Sequence, residues 1–172
     1  MDSTLTPTSI RLVQILAITT AAIAAGSNII SSAATVPALL VSPGPLLARQ
    51  WKILFDKGLV VVVSNVAVSS AAFAYLAYDA RAPSLSGLQS RLFVGAAVAA
   101  VASAPYTRVV MGGVNSRLIE IAVGLEAADE RAKVDEGEVR GLVGAWSRLN
   151  AVRSILPLTA AVIGIWAIGS AR

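Results

Sequence analysis

Apolar positions along this chain run together instead of alternating. Leu12 to Val41, Leu59 to Tyr78, Leu92 to Met111 and Leu149 to Gly169 each reach the roughly 20 residues that a helix needs to cross a hydrocarbon layer of about 30 Å. Soluble helices keep a polar face, and these stretches have little of one. In lipid every backbone N–H and C=O must be bonded within the protein, and no period-2 strands are visible. The pattern therefore predicts an all-α integral membrane four-helix bundle. Consecutive spans alternate in direction. The end of span 1, the start of span 2, the end of span 3 and the start of span 4 then share one side, where most of the distinctive polar and aromatic residues fall.

Periodicity inside the spans gives candidate inward faces. In span 1, Gln14, Asn28, Ser31, Ser32 and Thr35 lie near one face beside Ala17, Ala21 and Ala24, small residues that let helices approach closely in lipid. Asn28 stands out, because a buried carboxamide needs several partners. Pro37, Pro43, Gly44 and Pro45 are expected to end this helix in a rigid turn, with a new helix beginning near Leu46. From there Trp51, Phe55, Gly58, Val62, Asn65 and Ser69 form one stripe if the helix runs unbroken into span 2. Trp51 reads either as an interfacial anchor or as a pocket wall.

Loop 2 is short, and Ser86 with Gln89 reads as a capping box that starts helix 3. Pro105 is expected to kink that helix, and Gly112-Gly113 to loosen it again. Arg108, Met111 and Asn115 share a face, with Arg108 either snorkelling to headgroups or facing inward. Between Ser116 and Val134 the pattern turns amphipathic. Leu118, Ile121, Ala122 and Leu125 oppose Glu126, Asp129, Glu130 and Lys133, so helix 3 is expected to continue into water, supported by an Asp129 to Lys133 pair.

Asp135 with Glu138 gives a second cap, and a helix from there to Ile168 would be about 50 Å long, more than the membrane thickness. Helices 3 and 4 should thus extend beyond the bilayer on one side. The expected organisation is a single four-span domain over residues 1–172, with an extramembrane helical hairpin at about 112–148. Helix 4 also carries Trp146, Asn150, Arg153 and Pro157 at i, i+4, i+7 and i+11, an aromatic, an amide and a cation on one face where the helix enters the bilayer.

Composition agrees with the membrane class: 56% of residues are hydrophobic and 14% charged, with mean hydropathy +0.73. Cysteine and histidine are both absent. That excludes a disulfide framework, a zinc finger and a thiol nucleophile, and it removes the usual ligands of haem and non-haem iron, so no metal is expected. The basic pI of about 10.0 comes from scattered residues and does not point to nucleic acid.

Loops 1 and 3 carry eight Lys and Arg (Arg49, Lys52, Lys57, Arg117, Arg131, Lys133, Arg140, Arg148) against four on the other side (Arg11, Arg81, Arg91, Arg172). This bias places loops 1 and 3 in the cytoplasm. Met1 to Ser9 lacks a basic n-region, so span 1 is expected to remain as an anchor; Asp2 and the C-terminal residues match no lipidation signal.

Several segments together resemble a family. Pro37-Ala38-Leu39, Trp51-Lys52-Ile53-Leu54-Phe55-Asp56-Lys57-Gly58, Pro105-Tyr106-Thr107, Met111 with Asn115-Ser116-Arg117-Leu118, and Trp146-Ser147-Arg148-Leu149-Asn150-Ala151-Val152-Arg153 resemble, in order and spacing, the anthrone oxygenase-like membrane proteins of fungal polyketide pathways. The resemblance implies oxidation of an anthrone to an anthraquinone by O2, with no metal or flavin cofactor, in the endoplasmic reticulum or another endomembrane. Its partners would be an apolar aromatic small molecule and membrane lipid. A homo-oligomer or docking with soluble pathway enzymes is compatible with the topology.

Position then assigns roles. Arg153, Asn150 and Arg108 are candidate donors to a developing oxyanion, with Asp56 as a candidate base; Asn28, Trp51, Phe55, Asn65, Tyr106, Asn115 and Trp146 are candidate substrate contacts, and Tyr106 is a second candidate base. Two other readings stand beside this one: a non-catalytic four-span scaffold with a packed interior, and a non-oxidative cyclase or isomerase on the same fold. A transporter is disfavoured, because four short spans hold no internal duplication and no deep acidic relay.

Overall fold

The computed structural model describes residues 6–80, 87–127 and 134–170. All regular structure among them is helical: α1 (Pro7–Ile30), a π-helical turn (Ser31–Thr35), α2 (Val36–Leu39), α3 (Gly44–Asp79), α4 (Gly87–Val101), α5 (Ser103–Val109), α6 (Gly112–Ala127) and α7 (Glu136–Gly169). Four helical stretches are long and apolar enough to cross a membrane: Pro7–Leu39, Gly44–Asp79, Gly87–Val109 and Glu136–Gly169. The chain is an all-α membrane bundle in which α1, α3, α4 and α7 form a ring, each packed on two neighbours. Ser86 and the Asp129 to Lys133 pair lie outside the described residues.

Thr6 caps the first helix, its side chain accepting from the Ser9 N–H at 3.3 Å, with Pro7 in the first turn where its missing N–H costs nothing. Contrary to the sequence expectation, Pro37 does not end this helix. A proline two turns on would clash with the carbonyl four residues back, and the chain avoids this with one wide turn, in which the Val36 N–H reaches back to the Ser31 carbonyl. The helix stops only after Leu39. The wide turn also frees the Ser32 carbonyl from its ordinary donor, and Ser147 Oγ of α7 takes it at 3.2 Å.

Helix α3 begins at Gly44 and runs unbroken to Asp79. The third span, in contrast, is interrupted twice. Pro105 supplies no N–H to Val101, and the helix breaks at Ala102; a second break at Val110–Met111 precedes the glycine pair, with both N–H groups turned to the Tyr106 carbonyl. Asp135 caps α7, its Oδ1 accepting from the N–H of Gly137 and Glu138 at 2.8 and 3.2 Å. Glu138 does not reciprocate; its carboxylate accepts from Arg117 Nε at 2.7 Å and so ties α7 to α6. Hydrogen bonds to Glu138, and then Glu120, hold the Arg117 guanidinium above its ordinary range.

Two arginines counted above as topology markers also close helix ends. Arg140 donates to the carbonyls of Leu40 and Ser42, the latter at 2.9 Å, and Arg49 donates to the Leu125 carbonyl at 2.9 Å.

The core falls into two main clusters. At the end bearing the termini, Ala17, Ala21, Ala96, Ala100 and Ala160 surround Phe73 and Phe93, whose rings stack at 6.4 Å. At the opposite end, Leu47, Trp51, Met111, Leu118, Val139, Val143 and Trp146 pack together. The alanine-rich end shows how closely helices approach when side chains are small. Gly164 of α7 is the extreme case: a Cβ there would stand 2.6 Å from the Phe73 ring and 3.3 Å from Ile18. Phe73 is fully buried and stacked, so it has nowhere to go. Gly164→Ala is expected to destabilise the bundle by about 1–3 kcal/mol through overpacking, seen as a lowered thermal midpoint in detergent; an unchanged midpoint would show that Phe73 can yield.

Candidate active site

Between the two clusters the bundle is hollow. A cavity of about 540 Å³ is lined by α1 and the π-helical turn, α3, the end of α4, α5, α6 and α7, a size within the ~300–1,000 Å³ usual for small-molecule sites. Its walls are mostly apolar. Leu54, Phe55, Val62 and Val66 of α3 face Trp146 of α7 and Ile119 of α6, while polar side chains from α1, α5, α6 and α7 gather on the remaining sides.

Arg153 organises the polar side. Its side chain reaches outward from α7 to three oxygens: Nη1 donates to Thr107 Oγ1 at 2.9 Å, and Nη2 to Asn28 Oδ1 at 3.0 Å and Asn150 Oδ1 at 2.6 Å. Asn150 is fully buried, and its Nδ2 donates to the Asn28 carbonyl at 2.9 Å and to Ser32 Oγ at 2.8 Å. One planar guanidinium and one carboxamide thereby join α1, α5 and α7. Pro157, four residues after Arg153, lies within α7 and supplies no N–H to the Arg153 carbonyl.

All of these acceptors are neutral. Arg153 is only 9% exposed, and among the described residues no carboxylate pairs with it. A cation taken out of water with only dipoles around it is costly, so the site is electrostatically suited to a negative charge. Other polar atoms point the same way: Asn28 Nδ2, Trp146 Nε1, Asn115 Oδ1, Ser103 Oγ, Ser70 Oγ and Arg153 Nε are buried with no protein partner, and all six residues line the cavity. Buried polar atoms are normally satisfied, so a cluster of exceptions around one hollow marks a site shaped for a ligand with polar edges.

Of the residues singled out by sequence, the structure brings Asn28, Phe55, Arg108, Asn115, Trp146, Asn150 and Arg153 to the cavity wall. It does not bring the other four. Trp51 is fully buried behind the wall, stacked on Phe55 at 5.1 Å and edge-on to Trp146 at 5.9 Å, so it supports the lining aromatics without being one. Asn65 turns its Nδ2 onto the Val61 carbonyl of its own helix at 2.8 Å. Asp56 is half exposed and paired with Lys52 at 2.6 Å, one turn along an outward face. Tyr106 directs its hydroxyl to the Leu149 carbonyl at 3.4 Å.

Sequence reasoning passed over Ser27, Ser70, Ser103 and Thr107, all in the wall. Small hydroxyls in apolar helices usually bond their own backbone, as Thr107 does to the Ser103 carbonyl at 2.8 Å. The one usable signal for Thr107 was its place just after Pro105, where a free carbonyl and a kink coincide.

The fold and site define a class: a small four-span membrane protein with an interior, cation-bearing cavity walled by aromatic and aliphatic side chains. Residues 51–163 match the family model described as anthrone oxygenase. The chain belongs to the anthrone oxygenase family. It is 33% identical to the anthrone oxygenase encC of Aspergillus fumigatus, over 91% of this chain and 92% of that one. Against the anthrone oxygenase nsrD of Aspergillus novofumigatus the identity is 34%, over 83% and 85%. The monooxygenase hypC of Dothistroma septosporum is 32% identical, over 76% of this chain and 69% of its own. No solved structure matches the chain.

The network separates residues that hold the bundle from residues that only face the hollow. Asn150→Ala removes one acceptor from Arg153 and two donor contacts, one to α1 and one to the π-helical turn that follows it, and is expected to destabilise the protein by about 1–3 kcal/mol. Asn115→Ala removes an oxygen that bonds nothing in the protein, and is expected to stay within about 0.5 kcal/mol of the parent. Thermal midpoints in detergent compare the two; equal losses would mean that Asn115 is also structural.

Proposed function

We propose that this protein is an oxygenase-type enzyme of the membrane that converts an anthrone to an anthraquinone with O2, using no metal or flavin. The observation that carries the reading is Arg153, a buried cation surrounded by neutral oxygens in the wall of an apolar cavity. The family's named oxygenases and monooxygenases support the reaction class, and the absence of His and Cys from the sequence supports chemistry driven by the substrate's own electrons.

An anthrone is a flat tricycle whose central ring holds one carbonyl opposite one methylene. Loss of a methylene proton gives an enolate, with negative charge spread from carbon to the carbonyl oxygen. Phe55 and Trp146 offer flat apolar surfaces to the rings, while Arg153 with the unpartnered Asn28 Nδ2 and Trp146 Nε1 offers donors to the oxygen. Among the described residues, none that lines the cavity is Asp, Glu or His. The protein's contribution is therefore electrostatic: it lowers the free energy of the enolate, so that water or hydroxide suffices to take the proton.

The enolate carbon transfers its electrons to O2 and forms a C–O bond, giving a peroxide that takes up one proton. Loss of the second methylene hydrogen as a proton, with cleavage of the O–O bond, leaves the new carbonyl and releases water. One atom of O2 enters the quinone and the other leaves as water, so the four-electron oxidation of CH2 to C=O balances the reduction of O2.

The Lys and Arg bias supports placing loops 1 and 3, and with them this end of the cavity, toward the cytoplasm of an endomembrane. In membranes supplied with an anthrone and labelled O2, we expect one labelled oxygen in the quinone, at a rate above the spontaneous background and insensitive to a metal chelator. Arg153→Lys keeps the charge but not the three-way reach, and Asn115→Leu removes a cavity acceptor; the first is expected to lower kcat by about 10²-fold, as for loss of an oxyanion donor, and the second to lower kcat/KM with an unchanged thermal midpoint. Turnover that survives both substitutions would reject the site.

A further inference from the structure

The cavity has a side that neither core cluster closes. The aromatic cluster around Trp51, Met111 and Leu118 lies across the loop 1 and loop 3 end, and the Phe73–Phe93 stack lies across the end bearing the termini. Around the ring, α1 packs on α3 and α7, and α4 packs on α3 and α7, but α5 packs on α7, α4 and α6 with no comparable seam against α3. The break at Ala102 before Pro105 lets the third span leave α3 at this level.

Residues on both sides of that seam line the cavity and are exposed at the same time: Leu59, Val63 and Ala67 on α3, and Val101, Ala104 and Arg108 on α4 and α5. Leu59, Val63 and Val101 are 43%, 54% and 51% exposed, which is what a lipid-facing margin shows. From Leu59 to Ala67 the seam runs about 12 Å along the helix axis, starting where the continuous apolar run Leu59 to Tyr78 begins. It thus descends from the interface well into the depth of the hydrocarbon layer. Only Arg108, at the interfacial end, carries charge.

We propose that the seam between α3 and α5 is a lateral portal, through which an apolar aromatic molecule dissolved in the bilayer enters the cavity and its product returns to lipid. The identity of the molecule rests on the function proposed above; the route does not. A flat apolar tricycle partitions into hydrocarbon, and an apolar gap at that depth lets it reach Arg153 without crossing water. The gap's aliphatic margin admits no bulk water on this side, while the aqueous margin near Ser116 leaves water available as the base.

Obstruction of a portal raises the barrier to passage and leaves the bound and free states unchanged, so association and dissociation slow by one factor and Kd is conserved. The test uses anthracene, an unreactive tricycle, in proteoliposomes of the full chain carrying Trp166→Phe, which removes a lipid-exposed tryptophan that is 69% exposed. Binding is followed by energy transfer from the two remaining tryptophans, Trp146 in the cavity wall and Trp51 directly behind it. Ala67→Phe and Ala104→Phe, which obstruct the seam without adding a tryptophan donor to it, are each expected to slow both rates about tenfold or more, with Kd held within about threefold.

Because the chain has no cysteine, Ala104→Cys can also be modified in the already folded protein by a bulky lipid-soluble maleimide, and the same slowing is expected without any question of folding. Unchanged rates in all three cases overturn the portal, as does a change confined to Kd, which would make these positions part of the binding wall. A slowdown with Ser116→Phe alone, at the aqueous margin of the cavity, would place entry on that side and reject the lipid route. If anthracene does not bind the unobstructed protein at all, the cavity takes no tricycle from the bilayer and the portal is overturned, whereas the labelled-O2 assay on an anthrone decides the proposed function separately.

Discussion

A single guanidinium, placed where lipid-spanning helices cannot dilute its charge with water, sets the terms for this bundle. Arg153 draws on Thr107, Asn28 and Asn150, and Asn150 draws in turn on the α1 backbone and Ser32. Remove the arginine and three helices lose their shared polar contact; supply it with a carboxylate and its charge is spent before any ligand arrives. The arrangement does neither. Structural need and chemical availability coexist in one side chain because a guanidinium has more donors than its neighbours use.

Around that point, packing divides the labour. Alanines and Gly164 bring helices together at one end, and bulky aromatic and branched side chains fill the other. Between them neither small nor large side chains fill the interior. A tetraspan scaffold has no reason to keep a hollow at this level, and the non-catalytic reading anticipated a filled one. The end where α6 meets α7 is held by ion pairs such as Arg117 with Glu138 and by Arg140 and Arg49 on helix-terminal carbonyls, contacts that would contribute far less as isolated surface pairs without the helix ends they close.

Much of this was legible before any coordinates. Spans announce themselves because lipid tolerates only one kind of backbone, and Asn28, Asn150 and Arg153 are conspicuous because an apolar helix carries such groups only where they are used. The readable signal weakens at the second layer. Helical spacing put Trp51 and Phe55 on one stripe, yet one lines the hollow and the other supports it from behind, a difference of a few ångströms that periodicity does not encode. Asp56 lay at a plausible depth but faces Lys52, since depth fixes height along a helix and says little about azimuth. Thr107 escaped notice for the opposite reason: a threonine in a membrane helix ordinarily means nothing, and its partner Arg153 lies 46 positions away.

The wide turn at Ser31–Thr35 has an effect on angular phase. Asn28 and Val36 are both buried, at 2% and 1% exposure, though eight residues apart. On a regular α-helix eight steps of about 100° would leave them about 80° out of alignment, and absorbing one residue in a π-turn brings the offset back to about 20°. The surplus residue therefore works as a vernier between two halves of one rod. It lets α1 aim Asn28 at Arg153 while α2 seats Val36 among the loop-end side chains, so length in this segment is constrained as tightly as chemistry.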